Sequence, residues 1–310
     1  MTGEQTKLVH PDLIPALELL PNLGTLSLDT LDDVRELLAQ GRPVEPIDCV
    51  RTEWITLPGR AEAPDVRALL QRPASPGPHP AILNLHGGGL VAGTAAREEG
   101  PMQTLCAALD VVILSVEYRL APEHPFPAAL EDAWSGLCWL HDQALAPGID
   151  VERIAVRGVS AGGGIAAGLA LAVCDGEGPA IAFLSLVYPM LDDRTGHHPV
   201  AGRHVWPLDA NRFGWSSYLA GADPVPVTAA PGRCENLSGL PPTFIATGSI
   251  DLFVNEDIRF AEQLINDGVA TELHVYPGAY HGFALISGSA PARQFERDSL
   301  AALREALRPS

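Results

Sequence analysis

The stretch Ile154-Ala155-Val156-Arg157-Gly158-Val159-Ser160-Ala161-Gly162-Gly163-Gly164-Ile165 decides the fold. A mostly apolar run ends in a serine set between two glycines, and an alanine-rich run from Ile165 to Val173 follows. Strand, sharp turn and helix is the setting in which G-x-S-x-G acts as a nucleophile elbow. Only residues with almost no side chain fit beside so tight a turn. The serine hydroxyl is then held above the sheet, within reach of a histidine and a carbonyl carbon. Alone the pentapeptide is a weak signal, and the rest of the chain has to supply a base, an orienting acid and an oxyanion site.

The pattern on either side is that of an α/β fold. Ala81 to Leu85, Val111 to Val116, Ile154 to Val159, Ile181 to Val187, Phe244 to Ala246 and Leu273 to Tyr276 are short apolar runs. Such runs suit strands buried on both faces of a parallel sheet. Ile47 to Leu57 and Asp65 to Leu70 add strand-like material. Helical patterns fall between, the clearest being Asn255 to Asn266. It has Glu256 and Asp257 in its first turn, Ile258, Ala261, Leu264 and Ile265 as its apolar face, and Gly268 as a stop. Alternating strands and helices place helices on both faces of the sheet. At 310 residues the chain is near the upper limit for one core, which predicts one main domain with a subsidiary cap.

Two regions depart from the alternation. Residues 1–45 read as helical pieces with an apolar stripe (Leu28, Leu31, Val34, Leu37, Leu38), closed by Pro43 and Pro46. Residues 194–235 hold no clear strand, but carry five prolines and the aromatics Trp206, Phe213, Trp215 and Tyr218. Long irregular insertions in compact domains tend to be functional. The expected organisation is therefore a cap from 1–45 and 194–235 over a core from 46–193 and 236–310.

Asn84-Leu85-His86-Gly87-Gly88-Gly89 follows a strand. Consecutive glycines let the backbone approach a ligand and aim N–H groups at it. A tetrahedral oxyanion needs such donors, each worth about 3 kcal/mol. A phosphate cradle would require a lysine in P-loop spacing or a G-x-G-x-x-G opening a helix, and neither is present. His86 is expected to brace this loop.

Five histidines follow the serine: His197, His198, His204, His274 and His281. The first three lie in the insertion, and His274 lies within a strand. His281 sits in a loop just after that strand, at the carboxyl edge where α/β sites gather. Asp251 follows the strand Thr243 to Thr247 and is the expected acid, with Glu256 and Asp257 as alternatives already suited to a helical first turn.

The motifs HGGGLVAG (86–93), EYRLAPEHPFPAALEDA (117–133), GVSAGGG (158–164), GSIDLFVNE (248–256) and YPGAYHGF (276–283) together resemble the bacterial hormone-sensitive-lipase-like carboxylesterases of the α/β-hydrolase superfamily. The resemblance covers about residues 80–285. It implies an eight-stranded, mostly parallel sheet with a helical cap. It implies Ser160, Asp251 and His281 as catalytic triad and the N–H groups of Gly88, Gly89 and Ala161 as oxyanion donors. It also implies an acyl pocket near Tyr188 and the cap aromatics Trp206, Phe213 and Trp215. The activity implied is hydrolysis of small esters with short to medium acyl chains, without metal or cofactor. Two positions depart from the pattern: Val159 stands where the family has Asp or Thr, and Asn255 where it has Asp.

Bulk properties narrow the partners. Net charge is −18, from 20 basic and 38 acidic residues, so the protein's field repels nucleic acid and anionic membranes. The first twenty residues lack a basic segment followed by an apolar run, which predicts neither signal peptide nor membrane insertion. Five unclustered cysteines fit a reduced, cytoplasmic protein. An exposed edge strand or the C-terminal helix could support a homodimer. Two other functions use the same scaffold, an amidase or deacetylase and a non-catalytic small-molecule receptor. The complete triad disfavours the receptor. An elbow aspartate, required by dehalogenases and epoxide hydrolases, is absent.

Overall fold

A computed structural model describes residues 6–20, 23–40, 44–60, 63–142, 148–176 and 178–309. Eight strands form one sheet in the order β1-β2-β4-β3-β5-β6-β7-β8. They are β1 (Val50–Leu57), β2 (Val66–Pro73), β3 (His79–Leu85), β4 (Val112–Val116), β5 (Ile149–Val159), β6 (Phe183–Val187), β7 (Thr243–Gly248) and β8 (Thr271–Tyr276). The pairs β1–β2 and β2–β4 are antiparallel; the remaining pairs are parallel. Every residue of β3, β4, β6 and β7 is buried, as continuous apolar runs between two helical layers require.

The helices are α1 (Leu31–Ala39), α2 (Glu99–Leu109), α3 (Ala128–Asp142), α4 (Ala161–Asp175), α5 (Leu208–Leu219), α6 (Val254–Asn266) and α7 (Ala290–Ala306). Leu137 and Leu140 of α3, Ile165 and Leu169 of α4 and Phe260 and Leu264 of α6 join the core on one face of the sheet. Met102 and Cys106 of α2 with Phe295 and Leu303 of α7 fill the other. The α4 helix is buried continuously from Ala161 to Leu171, because its glycines and alanines let neighbouring backbone come close. No helix among the described residues is long and apolar enough to cross a membrane, and all five cysteines are free thiols.

The buried stripe of α6 differs from the expected one. Val254, Asp257, Phe260, Ala261 and Leu264 face inward, whereas Ile258 and Ile265 are exposed. The sheet turns the helix by roughly one residue from its most hydrophobic side, and that rotation carries Glu256 and Asp257 into the interior. In the N-terminal region Leu31 is buried and Val34 and Leu38 pack on the core, but Leu28 and Leu37 are exposed. Residues 1–5 and Pro43 lie outside the described residues.

Residues 194–235 run between β6 and β7 without a strand and contain α5. Ala210, Trp215 and Tyr218 of α5 share a core with Leu23 and Leu26 of the N-terminal region. That N-terminal region is tied to the sheet's carboxyl edge at two points. The N–H of His10 donates to Gly278 at 2.9 Å, and the Tyr280 hydroxyl donates to the Leu13 carbonyl at 3.0 Å. Further along, Arg35 donates to the carbonyls of Val91 (2.8 Å) and Ala121 (3.0 Å) and to Glu123 (2.6 Å). Arg35 holds the Glu123 carboxyl down at about 2.

Candidate active site

The turn from β5 into α4 works only with glycine on either side of Ser160. A Cβ on Gly158 would stand 2.1 Å from the Gly162 carbonyl oxygen, and one on Gly162 would stand 2.1 Å from that of Leu85. Ser160 itself takes φ 53°, a left-handed conformation that costs on the order of 1–3 kcal/mol and persists where surroundings over-determine it. They do so here. The Ser160 N–H donates to Val187 at 2.8 Å, and its carbonyl accepts from Gly163 (2.9 Å), Gly164 (3.1 Å) and Met190 (2.9 Å).

The hydroxyl so presented lies 2.9 Å from Nε2 of His281. Nδ1 of His281 lies 2.8 Å from Oδ2 of Asp251. All three residues are buried, Asp251 completely. They come from the loops after β5, β7 and β8, parallel strands whose carboxyl ends share one edge of the sheet with β6 between β5 and β7. Asp251 also accepts the Phe253 N–H on Oδ1 at 2.9 Å, so it turns the chain into α6 while orienting the imidazole. Of the remaining histidines, His274 lies on β8, half-buried, against Glu272 at 2.6 Å.

The glycine loop faces the elbow. Gly88 and Gly89 have φ of 141° and 62°. Ala161 opens α4, where a helical N–H has no partner within its own helix. His86 braces the loop through Nδ1, 2.9 Å from the Gly87 carbonyl. Its ring stacks on Tyr118 with centroids 4.0 Å apart, and the Tyr118 hydroxyl donates to the His86 carbonyl at 2.7 Å. Burial pushes the His86 imidazole below its ordinary range, so it stays neutral with Nδ1–H as donor.

A family profile described as alpha/beta hydrolase fold matches residues 82–285, the span from β3 before the glycine loop to the loop after His281. The chain belongs to this family. Relatives of the hydrolase extend over nearly its whole length. Esterase LipI of Mycobacterium tuberculosis is 35% identical, with 99% of this chain and 98% of that protein aligned. Carboxylesterase NlhH of the same organism is 33% identical over 96% and 97%. Among solved structures, a bacterial heroin esterase superposes with TM-score 0.89 at 34% identity, covering 98% of this chain and 99% of that one.

The expected pocket residues divide. The Tyr188 ring sits 4.9 Å from the His281 ring, centroid to centroid, and Trp206 lies 6.4 Å away. Trp206 also roofs the glycine loop, since a Cβ on Gly89 would meet its ring at 1.9 Å. Trp215 instead turns toward Tyr218 at 6.2 Å, and Phe213 packs on the main core. The backbone of Gly214, between them, lies against the Gly89 carbonyl oxygen. Phe253 meets the His281 ring edge-on at 5.1 Å, a contact the sequence reading did not anticipate. Tyr118, within residues 117–133, likewise has no mark in the sequence of its contact with the loop.

Glu256 and Asp257, the alternative acids, do not reach His281. Glu256 accepts the N–H groups of Leu191 (2.7 Å) and Asp192 (3.3 Å) and a hydrogen bond from the Thr195 hydroxyl. Burial pushes its carboxyl up to about 8. Asp257 is buried beside it and its carboxyl is pushed well above the usual range.

Proposed function

We propose that this hydrolase is a serine carboxylesterase acting on small esters with short to medium acyl chains. The observation that carries the reading is the unbroken relay from Asp251 through His281 to Ser160, at 2.8 and 2.9 Å, beside a glycine loop. The names of the relatives, esterase and carboxylesterase, support the same class.

In the proposed mechanism His281 Nε2 takes the hydroxyl proton as Ser160 Oγ bonds to the ester carbonyl carbon. Asp251 stabilises the imidazolium. The N–H groups of Gly88, Gly89 and Ala161 receive the developing oxyanion. The C–O bond to the alcohol breaks, and His281 returns its proton to the departing oxygen. Water, deprotonated by His281, then attacks the acyl-serine and releases the carboxylic acid. The chain's own side chains account for each proton, so no metal or cofactor is called for.

Residues 1–45 and 194–235 are read as a cap over a core of 46–193 and 236–310. Tyr188 and Trp206 are its pocket walls; Phe213 and Trp215 line the cap interior and shape the pocket through Gly214. The ties from His10, Leu13 and Arg35 to the loops around His281 and Val91 favour this organisation. A cytoplasmic location fits the free thiols.

The test is labelling with an organophosphonate ester, located by mass spectrometry, alongside hydrolysis of p-nitrophenyl acetate and butyrate. Wild-type protein should be modified at Ser160 and hydrolyse both esters. Ser160→Ala should do neither while remaining folded. A pure, active Ser160→Ala sample overturns the assignment, and a matched amide cleaved faster than its ester shifts it to an amidase.

A further inference from the structure

Two polar side chains interrupt the apolar central strands. Asn84 stands between Leu83 and Leu85 on β3, and Arg157 between Val156 and Gly158 on β5. The parallel register sets them side by side, and both are buried. Arg157 Nη1 donates to Asn84 Oδ1 at 2.6 Å. Asn84 Nδ2 donates to Glu98 Oε2 at 2.8 Å and to Ser115 Oγ on β4 at 3.2 Å. The same Glu98 oxygen lies 3.5 Å from Arg157 Nη1. One amide therefore bridges a cation and an anion that also face each other.

A buried ion pair is weak evidence of a stabilising role, because apolar replacements of similar volume often fold as well. Its position in the chain points elsewhere. Asn84 comes two residues before His86, where the oxyanion loop begins. Glu98 ends the turn Ala95–Glu98 that follows the loop. Arg157 comes three residues before Ser160. The network thus links the entry and the exit of the oxyanion loop to the strand that delivers the nucleophile. Oxyanion donors act only within a few tenths of an ångström of their working distance, so the separation of these segments has to be held.

Position 159 does not hold it. Val159 shares a face of β5 with Arg157, and its Cγ1 lies 3.7 Å from where a Gly87 Cβ would stand. That contact is apolar packing. The polar tie lies one pleat lower.

We propose that Arg157 is a positioning residue for the hydrolytic reaction, clamping the Ser160 strand to both ends of the oxyanion loop through Asn84 and Glu98. The inference rests on the reading of Ser160 and the loop given above.

Steady-state kinetics of Arg157→Met, Arg157→Lys and the double variant Arg157→Met/Glu98→Leu test it, with folded fraction measured by circular dichroism. For Arg157→Met, kcat per folded molecule should fall about 10- to 100-fold with KM within about threefold of wild type. The acid limb of its pH profile should not move, because the triad is untouched. Arg157→Lys, which keeps a cation and a donor, should recover part of the loss. If Arg157→Met does not fold, the double variant removes both charges together and should fold with the same fall in kcat. A folded variant lacking Arg157 with kcat within about twofold of wild type overturns the clamp, whatever its melting temperature. Wild-type protein that is neither active nor labelled at Ser160 overturns the esterase reading instead.

Discussion

Asp251 divides its carboxylate between two partners: Oδ2 faces Nδ1 of His281 at 2.8 Å and Oδ1 accepts the Phe253 N–H at 2.9 Å. One oxygen faces the imidazole and the other holds the turn into α6. Asp251→Asn separates the two. The amide oxygen can keep the Phe253 bond, which leaves the NH2 facing Nδ1. The imidazole then carries its proton on Nε2 and no longer accepts from Ser160. We expect kcat to fall about 10⁴-fold with the melting temperature nearly unchanged. Ester hydrolysis and a thermal melt on the same sample check both halves.

Gly89 lies directly under the Trp206 ring. Gly89→Ala places a Cβ 1.9 Å from the Trp206 ring at a residue with φ 62°. The ring has to move, and the loop with it. Activity should drop sharply, with a stability loss on the order of 1–3 kcal/mol. In a Trp206→Ala background the space returns, so Gly89→Ala should cost less stability there than in wild type, leaving only the backbone strain. No such reduction would show that Trp206 is not the obstacle.

Tyr118→Phe keeps the stack on His86 but removes the donor to the His86 carbonyl. That buried acceptor loses its partner, at a cost of about 1–3 kcal/mol. Because the carbonyl belongs to the glycine loop proposed to bind the oxyanion, kcat should fall more than KM rises. Denaturant unfolding and initial rates measure the two effects separately.

The Glu256 carboxyl stands at about 8 in the folded protein, against a reference near 4.3 for an unfolded chain. Between these values the folded state keeps a proton that the unfolded state has released. The contribution to stability is complete below the lower value and declines as pH rises through the upper one, by at most roughly 1.4 kcal/mol per pH unit. Asp257, pushed in the same direction, adds to the same slope. Glu256→Gln mimics the protonated acid, so its melting temperature should fall less steeply than that of wild type between about pH 5 and 8. Parallel curves would falsify the assignment of the slope to Glu256.

Much of this architecture was legible because its signals are local. The buried strands announced themselves as short, mostly apolar runs, and β3, β4, β6 and β7 are buried through their full length. Ser160, Asp251 and His281 each stand just past such a run. The rotation of α6 was not legible. Its most hydrophobic side includes Ile258 and Ile265, yet packing against β7 and β8 turns that side partly to solvent and draws Glu256 and Asp257 in. Arg157 and Asn84 left a readable trace, two polar residues each breaking an apolar run. Only the register of β3 against β5 tells that they face each other.

Local sequence carries the order of strands and helices, the glycine turn around Ser160 and the proposed membership of the triad, because periodicity, turn chemistry and motif spacing act over a few residues. Tertiary structure alone decided what lies beside what: Trp206 over Gly89, Phe253 at the edge of His281, and Arg157 against Asn84, 73 positions away in the chain. Those contacts follow from strand register and helix rotation, which are set by the packing of the whole core rather than by any one segment.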